Sequence, residues 1–120
     1  MKIEIPVSVG ELIDKITILE IKSLFSDDEY IQKELNELIK IKSTLVQFTL
    51  EYEIRLKQVN GTLWKIEDKL RKLEKEQRFD EEFIELARSV YITNDERAEI
   101  KTKINEITNS QVKEIKIYSP

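Results

Sequence analysis

At 120 residues the chain fits one domain, residues 1–120, long enough to bury a core yet small enough to gain from association. Apolar residues make up 40% and charged residues 37%, with two Gly and two Pro, a balance that favours long solvent-facing helices over a β-sandwich. The formal charge of -4, from 20 basic and 24 acidic residues spread along the chain, offers no broad positive face for a phosphate backbone, so no nucleic-acid partner is expected.

In chain order, Ile3, Ile5, Val7 and Val9 alternate with Lys2, Glu4, Pro6 and Ser8, which predicts a short half-buried strand over Met1 to Val7. Pro6 makes it an edge strand. At the other end Ile115 and Ile117 alternate with Glu114, Lys116 and Tyr118. Lys113 to Tyr118 is thus expected to pair with the first strand as a small two-stranded β ribbon supported by helices.

Between them, helix starts are written as capping side chains followed three residues later by Glu: Ser8 with Glu11, Ser26 with Glu29, and Thr93 with Glu96. A further start is Asp80, where Glu81 and Glu82 suit the positive end of a helix. Apolar staples are expected from Val7 to Leu12, Phe25 to Tyr30 and Phe79 to Ile84.

The first helix, Ser8 to Leu24, carries Leu12, Ile13, Ile16 and Leu19 on one stripe, widened by Ile18 and Ile21, and so reads as buried on more than one side. The second is expected to run from Asp27 to Gln77. Its C-terminal half holds a coiled-coil-like seam of Leu56, Val59, Leu63, Ile66, Leu70 and Leu73. Extended backwards, the seam passes Tyr52, Thr49, Leu45, Lys42, Leu38 and Leu35, with Ile41, Phe48 and Leu50 off register, so a broader contact face is expected there.

Asn60-Gly61 is the natural place for a break in the second helix, yet the heptad spacing crosses it unshifted, and continuity is the expectation. Such a helix would be roughly 75 Å long at 1.5 Å per residue. The last helical stretch reads as two pieces, Glu81 to Ile92 and Asn94 to Asn109, kinked or restarted at Thr93. The fold class that results is all-α: an elongated antiparallel helical hairpin or bundle around one long central helix. So thin an assembly would leave apolar faces open, which predicts a homodimer.

For chemistry, the absence of both His and Cys removes the commonest base near pH 7, the thiolate nucleophile and the usual zinc ligands together. No cofactor is expected. The N-terminal stretch shows no secretory pattern and no run is long enough for a membrane span, so a cytoplasmic location is expected.

Glu81-Glu82-Phe83-Ile84-Glu85 with Glu96-Arg97-Ala98-Glu99 resembles the carboxylate pattern of all-helical nucleotide pyrophosphohydrolases. That resemblance implies Mg²⁺ held by Glu82, Glu85, Glu96 and Glu99, although Glu99 stands where the family pattern has Asp. The plainer explanation of Glu81 and Glu82 is that they complement a helix N-terminus. Glu11-Leu12-Ile13-Asp14-Lys15-Ile16 is similar to small helical chorismate mutases, which would imply an anion clamp. The first helix offers only Lys15 and Lys22 and no Arg to begin one.

A denser polar set, Arg88, Tyr91, Asn94, Asp95, Arg97 and Lys101, interrupts an apolar-periodic segment. Its expected partners are Glu67 and Asp68 beside Trp64, as a buried ion network or a small-ligand site. Three segments look familiar together: residues 9–22; Val59-Asn60 with Leu63 to Asp68; and Leu86 to Tyr91 with Asn94 to Ala98. They resemble an uncharacterised family of small bacterial and phage helical proteins of unknown function, which implies no activity. The leading expectation is a non-enzymatic helical module that binds a protein partner, with a Mg²⁺ or Arg/Lys anion site as the alternative.

Overall fold

A computed structural model describes residues 1–45 and 49–119, and within them every regular element is helical. The four helices are α1 (Val9–Phe25), α2 (Glu29–Lys42), α3 (Leu50–Lys75) and α4 (Glu81–Ile107). None is long and apolar enough to cross a membrane.

The hub is α1, which packs against α2, α3 and α4, while α3 and α4 form the most extensive helix pair. Its two apolar faces explain this role. Leu12, Ile16 and Leu19 meet Leu35 of α2, with Ile31, Leu38 and Leu45 around them. Ile13 turns the other way, onto Leu56 of α3 and Ile100 and Ile104 of α4, flanked by Val9, Tyr52 and Val59.

The expected central helix from Asp27 to Gln77 is therefore corrected: it is divided between Lys42 and Leu50, and the central element is α1. Local chemistry favours the stop, because the hydroxyls of Ser43 and Thr44 donate to the carbonyls of Lys40 at 2.6 Å and Ile41 at 2.7 Å. Packing fixes it, since only a divided chain lets both halves cover the same short helix. Phe48 lies outside the described residues. The helix does run unbroken through Asn60 and Gly61, as the heptad spacing predicts. The principal extents of 48 × 41 × 29 Å leave no room for a 75 Å rod.

α4 follows from a Schellman turn, in which Arg78 N–H donates to the carbonyl of Leu73 at 2.9 Å and Gln77 N–H to that of Glu74 at 3.0 Å. Gln77 takes the left-handed conformation there, with φ 56°. Asp80 caps α4 through Phe83 N–H at 3.4 Å, and Ser8 caps α1 through Glu11 N–H at 3.0 Å, both as predicted.

Two other starts differ. α2 is capped by Asp28, which accepts from Tyr30 N–H at 2.9 Å, while Ser26 accepts from Asp28 N–H at 3.1 Å. Thr93 begins no helix and is buried inside α4. The staples shift accordingly: Phe79 meets Phe83 edge-on at 5.3 Å, and Phe25 stacks on Trp64 at 5.2 Å.

The terminal β ribbon does not form among the described residues. The two segments are drawn to different helices instead. Lys2 pairs with Glu37 of α2, whereas Glu114 pairs with Lys101 at 3.0 Å and Lys116 with Asp95 at 3.5 Å, both on α4.

Candidate functional site

α1 meets α3 and α4 around one buried carboxylate. Asp14 is 0% exposed, on the same helix face as Ile13 and Thr17. Its oxygens accept from Arg97 Nε at 2.9 Å, from Arg97 Nη2, and from Asn60 Nδ2 at 2.9 Å. Asn60 also donates to the Thr17 hydroxyl at 2.9 Å, and Thr17 in turn donates to the Asp14 carbonyl at 2.8 Å. A two-pronged guanidinium on a buried carboxylate is the strong form of an ion pair, fixing orientation as well as charge. The hydrogen bonds that Arg97 donates to Asp14, together with the carboxylate's charge, hold the guanidinium above its ordinary pKa despite burial.

Above this clamp sits Lys101, whose ammonium is shared by Glu11 at 2.7 Å, Glu114 at 3.0 Å and Asp14 at 3.9 Å. Burial works against its charged form, but the Glu11 and Glu114 hydrogen bonds and the Asp14 charge outweigh it, so its pKa is raised above 10.5. A raised folded-state pKa contributes stability that is complete below the unfolded value and lost as pH rises through the folded one. Urea midpoints are therefore expected to hold to about pH 10 and fall above 10.5. Lys101→Met should flatten that alkaline fall; a variant that loses stability along the same curve as wild type would contradict the assignment.

The N-terminus of α1 comes equally close to α4. Gly10 N–H donates to Asn105 Oδ1 at 2.7 Å, and Val9 N–H to the Ser110 hydroxyl at 3.1 Å. Free N–H groups of a helix start are thus satisfied by side chains at the end of α4. Ser110 is delivered by a second Schellman turn, in which its N–H donates to the Asn105 carbonyl at 2.9 Å and Asn109 takes φ 48°.

All but Arg88 of the residues singled out from sequence for ligand binding line one or both of two grooves. Trp64, Glu67, Asp68, Asn94 and Arg97 line a groove of 520 Å³ between α1, α3 and α4, floored by Ile18, Ile21 and Leu63. Tyr91, Asp95 and Lys101 line another of 450 Å³ beneath the C-terminal segment, shared with Asn94 and Arg97. Arg88 is exposed and lines neither.

The expected partners of Arg97, Glu67 and Asp68, share its groove, but the carboxylate that binds it is Asp14. Asp14, Asn60, Gly10 and Asn105 were missed by sequence reasoning. The available signals were a carboxylate inside the Ile13 to Ile16 stripe and an amide beside Val59 in the seam.

The four glutamates proposed for a metal do not converge. Glu82 pairs with Arg78 at 3.2 Å, and since α4 is one helix, Glu82 and Glu96 stand about 21 Å apart along it at 1.5 Å per residue. Among the described residues no group of three acidic side chains is placed to hold a metal ion. Lys15, the first cation of the clamp implied by chorismate mutases, pairs with Glu34 at 2.9 Å.

One family matches over residues 1–120: the family of unknown function DUF6165. The chain belongs to it. No curated protein and no solved structure matches. DUF6165 carries no assigned activity, so function must be argued from the geometry of this member.

Proposed function

We propose that residues 1–120 form one helical domain that acts as an interaction and oligomerisation module rather than an enzyme, pairing with a second copy of itself and offering helix faces to a protein partner. The observation that carries this reading is exposed apolar surface on the terminal segments: Ile3 is 74% exposed, Ile5 68%, Ile115 75% and Ile117 88%. Exposed apolar side chains gathered on short terminal segments suit a contact surface better than isolated exposure elsewhere would.

Polar chemistry supports the same reading. The Asp14 clamp spends its hydrogen bonds on itself, and among the described side chains no buried nitrogen or oxygen lacks a partner. A cluster closed in this way fixes the helices that carry it. For a dimer whose folding is coupled to association, the thermal midpoint rises with protein concentration. That rise is expected here; a midpoint unmoved over a hundredfold range would count against pairing.

A second reading rests on the groove that brings Trp64, Glu67, Asp68 and Arg97 together. Its apolar floor and mixed charges suit a small molecule with charged ends. A thermal-shift screen against nucleotides with Mg²⁺ and against dicarboxylates tests it, since a ligand at 100 times its Kd adds about 2.7 kcal/mol. Uniformly unchanged midpoints would leave the interaction module alone.

A further inference from the structure

The two terminal segments do not pair within one chain, yet they are complementary. Residues 1–7 are held at α2 through Lys2 and Glu37, and residues 113–118 are held along α4, where the Tyr118 hydroxyl donates to Asp95 at 3.1 Å. α2 and α4 make no contact with each other. The segments of a single chain are thus kept to separate supports, while their apolar side chains stay exposed.

Set antiparallel with Ile3 opposite Ile117, the segments also place Ile5 opposite Ile115 and Glu4 opposite Lys116. One face of the ribbon is then a double isoleucine pair and the other carries an opposite-charge pair, the combinations that stabilise cross-strand neighbours. The register also accommodates Pro6. With the isoleucine pairs as the hydrogen-bonded ones, Pro6 opposite Glu114 falls in a non-hydrogen-bonded pair, where its missing N–H is not required.

We propose that two copies of this chain associate by reciprocal strand exchange, the N-terminal segment of each pairing antiparallel with the C-terminal segment of the other. Two-fold symmetry then produces two identical ribbons and removes four open edges at once. The proposal rests on the self-pairing reading above and names the surface that performs it.

With no native cysteine, cross-linking tests it cleanly. The register brings Lys2 opposite Tyr118 in a non-hydrogen-bonded pair, the close spacing a disulfide tolerates. The full-length variant K2C/Y118C is expected to become a disulfide-linked dimer under mild oxidation, and K2C/E114C, which a parallel ribbon would link, is expected to stay unlinked. In a second arm, I5D/I115D alters side chains that are exposed in the single chain, so it should retain helicity and sediment as a monomer.

Linking of K2C/E114C in place of K2C/Y118C overturns the antiparallel exchange. A dimer that survives in I5D/I115D overturns strand exchange while leaving self-pairing intact, and a monomeric wild type overturns both. The cross-link decides the matter independently should the aspartate variant unfold.

Discussion

Replacing Arg97 with alanine is expected to lower the stability of the fold by about 3 kcal/mol, the lower end of the range for breaking a buried ion pair from one side. The large effect comes from what remains. Asp14 is 0% exposed, and without Arg97 it keeps only Asn60 at 2.9 Å and the more distant Lys101 at 3.9 Å. Placing the estimate at the lower end reflects the 28% exposure of the Arg97 side chain, through which water can reach the vacated space.

For a domain of this size the loss corresponds to a fall in Tm on the order of 10 °C. Arg97→Lys should recover only part of it, because a single ammonium cannot make the two-pronged contact. Adding Asp14→Asn to Arg97→Ala should restore stability relative to the single variant, since the orphaned charge is gone. Denaturant melts of the three variants measure this. A loss below about 1 kcal/mol for Arg97→Ala would mean that the cluster does not hold the helices together.

Gly10→Ala is expected to cost about 1–3 kcal/mol, the usual range for overpacking, and the same change at Gly61 to add up to about 1 kcal/mol. A Cβ on Gly10 would stand 2.7 Å from the Lys101 carbonyl oxygen and 2.9 Å from Asn105 Oδ1. Neither atom yields cheaply: the first belongs to the backbone of α4, and the second accepts the Gly10 N–H. The start of α1 must therefore lift from α4. A Cβ on Gly61 meets nothing within 4 Å, so only the improved helix propensity is felt. Equal signs for the two substitutions in thermal melts would contradict the close approach of α1 and α4.

Much of the helical content was legible from sequence because its causes are local. Ser8 and Asp80 cap the helices they were expected to cap, and the crowded apolar pattern of Leu12 to Ile21 correctly predicted burial on more than one side. What failed depends on partners far along the chain. Arg97 meets Asp14 across 83 positions. Without that partner, Asn94, Arg97 and Lys101 read as an interruption of α4, and Thr93 as a fresh cap. With it, they are the polar face that α4 turns toward α1.

The break between Lys42 and Leu50 has the same origin. Heptad spacing along one helix cannot reveal that both halves are claimed by a third, and only the hydroxyls of Ser43 and Thr44 gave a local hint. The terminal segments were misread for the same reason. Alternation of Ile with charged residues predicted strands that do not form among the described residues, where the positions of these segments are set by Glu37, Lys101 and Asp95.

The proposed self-pairing would tie these features together: the clamped three-helix junction leaves the isoleucines of the terminal segments exposed to a second copy. Sedimentation equilibrium of the full chain at micromolar concentration measures this most directly. A mass of twice 14.3 kDa is predicted, and a single 14.3 kDa species across the whole concentration range would contradict it.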